Sequence, residues 1–310
     1  MLFKSLAVVA TAGLAVAQRP TNTSICDYYT TALLKNNTAA NQLALLTLVV
    51  NTAVIGNYTP VTVGTGVPGI LAKGTVNGTE VNLLPYFSGG LASSNRGGAM
   101  GVSVNFLDDG GAAPLMKNMP SNGNSSAQYL LLTHLYEYFG VLLGCSMQGG
   151  ADYPGYLGHA SMYEVHKFMD LSYAEVTYFI SQVAASAASF GVATDDLTIV
   201  GTALNSAFNV RCAPPTTIIM SQGAQLNSIC IDDTCPTAPN ATCASYNATM
   251  EPAVSNSTSS ATATSSGSGS GTSPSSTATG SSPATVTTGA AATVGMSFAA
   301  VAAGLFAAFL

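Results

Sequence analysis

The chain has 310 residues, only 7% of them charged, with 8 Lys and Arg against 14 Asp and Glu, for a formal net charge of -6. Such a weakly charged, acidic chain has no basic face for nucleic acid or for anionic membrane surfaces. Length and a 47% share of hydrophobic residues leave room for an ordinary packed core.

Residues 1–17 read as a secretory signal peptide. Lys4 supplies a basic start, Leu6 to Leu14 an apolar stretch, and Ala15-Val16-Ala17 a small-residue cleavage site before Gln18. The apolar stretch is too short to cross a bilayer. Loss of Lys4 with the signal makes the mature chain one charge more acidic.

Residues 18–215 contain the segments expected to fold. Asn41 to Ile55 carries Leu43, Leu45, Leu46, Leu48, Val49, Val50, Val54 and Ile55, apolar on most faces, which predicts a buried helix that Gly56-Asn57 ends. Thr59 to Val81 is β-branched and glycine-rich; it reads as an irregular excursion, with two short strands as the alternative. Ser88 to Ser126, rich in Gly, Asn, Ser and Ala, is expected to be loop, long for a compact domain. From Gln128, Leu132, Leu135, Tyr136, Phe139 and Leu142 recur at helical spacing until Gly144. Ser172 with Glu175 forms a capping box opening a helix whose stripe is Val176, Phe179, Ile180, Val183 and Phe190, closed by Gly191. Thr194, with Asp195 and Asp196 at its positive end, opens another, striped by Leu197, Val200, Leu204 and Phe208. The expectation is a mostly α domain.

Residues 216–252 form a cysteine-containing tail. The six cysteines, Cys26, Cys145, Cys212, Cys230, Cys235 and Cys243, imply up to three disulfides in an oxidising compartment, and the sequence does not choose among the pairings. Residues 253–282 are almost all Ser, Thr, Gly, Ala or Pro, too polar to bury a core, and read as an extended stalk. Residues 283–310 give a polar spacer and an uncharged apolar end with no basic residues after it, the pattern of a removed glycosylphosphatidylinositol (GPI) attachment signal. Asn-x-Ser/Thr triplets begin at Asn22, Asn36, Asn57, Asn77, Asn124, Asn240, Asn247 and Asn256, which fits a surface glycoprotein of the cell wall or outer membrane leaflet and labels these positions as solvent-facing.

All three histidines, His134, His159 and His166, fall in the middle third. His166 stands among Met162, Tyr163, Val165 and Phe168, just ahead of a capped helix, a setting that suits a ligand for a flat apolar cofactor. The ordered set Leu142-Leu143-Gly144, Tyr153-Pro154-Gly155-Tyr156, Met162-Tyr163-Glu164-Val165-His166, Leu171-Ser172 and Phe190-Gly191-Val192 resembles the truncated haemoglobins, in a secreted, GPI-anchored member of fungal type. Leu84-Pro85-Tyr86-Phe87 resembles the family's paired aromatic segment. The resemblance implies a globin-like (truncated 2-on-2) helical domain with two long insertions, and haem as cofactor. It implies His166 as proximal iron ligand, His134 as a distal ligand, and Phe87, Leu131, Leu135, Met162, Phe168 and Phe179 as pocket walls. The implied function is binding or sensing of a small diatomic ligand, or peroxide or nitric-oxide chemistry, at the cell surface. Val49 and Val50 stand where the family has a distal tyrosine, and Cys145 replaces a glycine.

Two other readings stand beside this one. The first is a haem-free cell-wall structural or adhesion protein on the same helical scaffold, in contact with wall glycans. The second is a zinc enzyme using the three histidines with Glu137 or Asp170, although the His159–His166 gap fits no common zinc spacing. No Gly-x-Ser-x-Gly elbow or phosphate-binding glycine loop is present. Asp108-Asp109 and Asp232-Asp233 read as solvated turns.

Overall fold

The computed structural model describes residues 18–59, 66–247 and 249–255. The segments read as signal peptide, as stalk beyond Ser255 and as lipid-attachment signal lie outside the described residues. The architecture is mostly helical. Helices α1 (Ile25–Leu34), α2 (Ala39–Ile55), α5 (Ala127–Leu142), α7 (Tyr173–Ser189) and α8 (Thr194–Phe208) surround the core. Short helices α3 (Leu84–Ser88), α4 (Ala112–Leu115) and α6 (Met162–His166) sit in the connections. Among the described residues no single helix is long and apolar enough to cross a membrane.

Helix α2 packs against α1, α5 and α7, so it is apolar on most faces, and it is capped by Thr38 and closed by Gly56 at φ 85°. Its buried amides Gln42 and Asn51 face inward and are both bonded, whereas the buried Thr52 hydroxyl has no partner. Gln42, fully buried, donates to Asp27 Oδ1 at 2.6 Å and accepts from the Met147 amide at 3.0 Å. Asn51 donates to the Leu115 carbonyl and accepts from the Tyr136 hydroxyl at 2.6 Å. Unpaired, each would cost roughly 1–3 kcal/mol. These bonds therefore fix which helix faces meet.

Helix α5 begins where expected, capped by Ser126. Asp108, expected to be a solvated turn residue, instead accepts from the Ala127 and Gln128 amides, placing a carboxylate at the helix's positive end. The expected capping box of α7 is present, with Ser172 and Glu175 bonding reciprocally. Gly191, at φ 85°, follows the last turn of α7.

The described part of the 59–81 segment from Gly66 on departs from the irregular reading. Strands β1 (Gly74–Val76) and β2 (Thr79–Val81) form an antiparallel hairpin, with Asn77 and Gly78 both at positive φ in its turn. It packs on α7, where the Tyr178 hydroxyl donates to the Gly69 and Ala72 carbonyls and a Cβ at Gly74 would overlap the Tyr178 ring. The 88–126 segment is mostly irregular, as expected, but carries β3 (Leu91–Ala92) and α4 and is anchored by fully buried Leu115.

The cysteine tail is packed against the helices. Ile231 donates to the Leu171 carbonyl, Cys230 donates to the Phe208 carbonyl, and Tyr163 donates its amide to Leu226. Three disulfides form: Cys26–Cys145 tying α1 to the end of α5, Cys212–Cys243, and Cys230–Cys235. No cysteine is free, which is consistent with an oxidising, extracellular compartment. Strand β4 (Ala253–Val254) pairs antiparallel with β3, so Ala253 to Ser255, expected to begin the stalk, belong to the fold.

Candidate functional site

The three histidines occupy three different surroundings. His159 is exposed, and its Nδ1 accepts from the Ser161 amide at 3.1 Å. His134 on α5 is half-buried, edge-on to Tyr156 with ring centroids 5.7 Å apart, and burial pulls its pKa down. His166, on the last turn of α6, is half-buried, with Nδ1 2.7 Å from the Met162 carbonyl. Burial lowers its pKa, offset in part by that bond. A carbonyl only accepts, so neutral His166 carries its proton on Nδ1 and its lone pair on Nε2.

The expected pocket walls are not gathered around one space. Met162 is buried in the core. Phe168 is 1% exposed, with Lys167 Nζ 5.3 Å from its ring centroid. Segment 95–101 lies over this turn: Asn95 donates to the Glu164 carbonyl at 2.8 Å, and a Cβ at Gly101 would stand 3.0 Å from Phe168 Cβ. Phe87 is half-buried, its carbonyl accepting from Phe106 at 2.7 Å. Leu131 packs at the edge of the core, and only Leu135 and Phe179 of the expected set line the cavity described below. As folded, these residues do not fit a porphyrin: the closed 95–101 excursion occupies the approach to α6, and the cavity contains neither imidazole. No group of three His, Cys, Asp or Glu among the described residues could hold a metal ion.

A second cluster joins Glu137, read in the sequence as a zinc-ligand candidate, to Tyr153 and Tyr156 of the Tyr153-Pro154-Gly155-Tyr156 motif. Glu137, one turn along α5 from His134, has its carboxyl pushed up to about 7 by burial, with the Leu157 amide pulling the other way. Tyr153 and Tyr156 beside it are both shifted up, mainly by burial and further by Glu137. Tyr153 is fully buried and donates to the Tyr136 carbonyl at 2.7 Å, an approach allowed because Gly140 has no Cβ. A carboxyl of this kind can take or give a proton near neutrality. Because its pKa is raised on folding, its contribution to stability is complete below its ordinary 4.5 and is lost as pH rises through about 7. We expect the Glu137 carboxyl to titrate near 7 by carbon-13 NMR, and Glu137→Gln to flatten the fall in thermal stability between pH 4.5 and 7. A midpoint near 4.5 would contradict this.

An apolar cavity of about 60 Å³ lies among α1, α2, α5, α7 and α8. Its wall is aliphatic and aromatic, including Val49, Val50, Ala53, Leu135, Phe179 and Gly201. Tyr29 contributes its ring, while its hydroxyl points away, donating to Asp196 Oδ2 at 2.8 Å and accepting from the Ala193 amide at 2.8 Å. Asp196, 5% exposed, also pairs with Arg19 at 2.9 Å. This set pins the first turn of α8, whose N-cap Ala193 offers no side-chain bond.

Compared with known proteins, the chain matches no family model, no curated protein and no solved structure.

Proposed function

We propose that this chain is an extracellular, glycosylated helical module, displayed on a Ser/Thr stalk from a GPI lipid and serving as a haem-free cell-wall structural or adhesion protein. One observation carries the reading. All seven described glycosylation triplets begin at an exposed asparagine: Asn22, Asn36, Asn57, Asn77, Asn124, Asn240 and Asn247. They sit at helix ends, the β1–β2 turn and the tail, where a glycan meets no packed face. Three disulfides suit the same setting.

The globin-like, haem-binding reading keeps one specific support. A metal-ligating histidine commonly donates its other ring nitrogen to a carbonyl, and His166 does so to Met162. Haem, if bound, would supply an iron for a diatomic ligand or for peroxide. His166 Nε2, left free by that bond, would hold it.

Haemin titration of the secreted chain separates the two readings. The expected result is no saturable Soret band, unfolding unaffected by haemin, and a loss of mass on enzymatic removal of N-glycans. A stoichiometric Soret band abolished by His166→Ala would establish the haem protein instead, and an unchanged mass would refute the glycoprotein.

A further inference from the structure

We propose that the cavity among α1, α2, α5, α7 and α8 is a binding site for a slim, uncharged aliphatic molecule, entering as the end of an alkyl chain. The argument begins with what cannot fill it. A buried water needs two to four polar partners, and the Tyr29 hydroxyl, the one side-chain oxygen or nitrogen among the lining residues, is already committed to Asp196 and Ala193. Water therefore has nothing to hold it there.

Size sets the class of occupant. The volume, about 60 Å³, exceeds the ~10–15 Å³ one water requires and falls well short of the ~150 Å³ of a cavity that admits benzene. A space of that volume takes two or three carbons of an alkyl chain and not a whole aromatic ring, and burying those carbons away from water is favourable.

The cavity is built from small residues on separate helices. Ala53 on α2, Ala184 and Ala187 on α7 and Gly201 on α8 all contribute to its wall. Gly201 lies mid-helix, where glycine is less favourable than alanine. A Cβ there would meet no atom within 4 Å, so packing does not explain the glycine. Leu143, Val192, Leu197, Val200 and Gly201 are half-buried, which places the way in along the first half of α8.

The test is thermal unfolding of the intact secreted protein under propane or with benzene at aqueous saturation, with xenon-129 NMR on the same samples. Propane should raise the melting temperature by a few degrees, benzene should not, and xenon should show a shifted bound resonance. Ala53→Leu, which fills the space, should abolish the propane and xenon effects. Gly201→Leu repeats the test from the opposite wall if Ala53→Leu fails to fold, and Gly201→Ala should stabilise the helix while keeping the response. A wild-type protein indifferent to propane and xenon, or a response that survives filling of the cavity, would overturn the proposal.

Discussion

Replacing Cys26 and Cys145 together by alanine should destabilise the fold by about 4 kcal/mol and lower its melting temperature by roughly 10 °C. The bridge closes a sequence separation of 119 residues, the longest of the three, and the chain-entropy gain grows with the logarithm of loop length. Cys26 is 1% exposed and Cys145 9%, so both positions are also packed. The Cys26 amide donates to Leu143, which keeps the backbone junction of α1 with α5 when the sulfurs are gone. The double variant should thus remain folded but shift to a lower denaturant midpoint. The Cys230–Cys235 pair spans a separation of 5, so its removal should cost clearly less. Equal effects of the two removals in denaturant titrations would refute the loop-length argument.

Asp196→Ala should cost about 3–5 kcal/mol, the range for removing one partner of a buried ion pair. Its carboxylate holds Arg19 and Tyr29 at once, and the Tyr29 hydroxyl in turn accepts from Ala193 at the start of α8. Loss of the carboxylate strands a half-buried guanidinium and frees the first turn of a helix that has no side-chain cap. Asp196→Asn, which keeps an acceptor, should cost less. Amide exchange at residues 193–198 should accelerate first. The same set predicts an alkaline limit. Burial pushes the Tyr29 hydroxyl up to about 12 from 10.0, so its contribution is complete below pH 10 and disappears as pH rises through about 12. Tyr29→Phe should weaken that alkaline step in a thermal series. A substitution of Asp196 that leaves chemical denaturation unchanged would show that the pair carries no weight.

The long helices were legible because their signals are local. The apolar spacing from Gln128 to Gly144 and the Ser172–Glu175 box need no knowledge of distant contacts, and both appear as read. Helix α1 was missed because its polar Thr30 and Thr31 blur the apolar stripe. Ser24 accepting from the Asp27 amide was the available cue. The Asn77-Gly78 pair was a hairpin signal that outweighs the irregular composition around it. What the sequence hid was long-range: the disulfide partners, the burial of Leu115 under Asn51, and segment 95–101 lying on the α6 turn. His166 looked like a ligand because its neighbours in sequence are apolar. In the fold those neighbours turn to different places, Met162 into the core and Phe168 beneath the 95–101 excursion. The cavity leaves no periodic mark, since single small residues on separate helices make it.

The β3–β4 pairing decides how the module bears a mechanical load. Were the module held from beyond Ser255, as proposed, tension would arrive first at the two-residue ladder joining Leu91 to Val254 and Ala92 to Ala253. Behind it stand the Met250 amide on the Lys167 carbonyl, the Tyr163 hydroxyl on the Asn247 carbonyl and the Tyr246 ring on Tyr163, and then the Cys212–Cys243 crosslink. A pull would thus spend itself on replaceable bonds before it met a covalent stop.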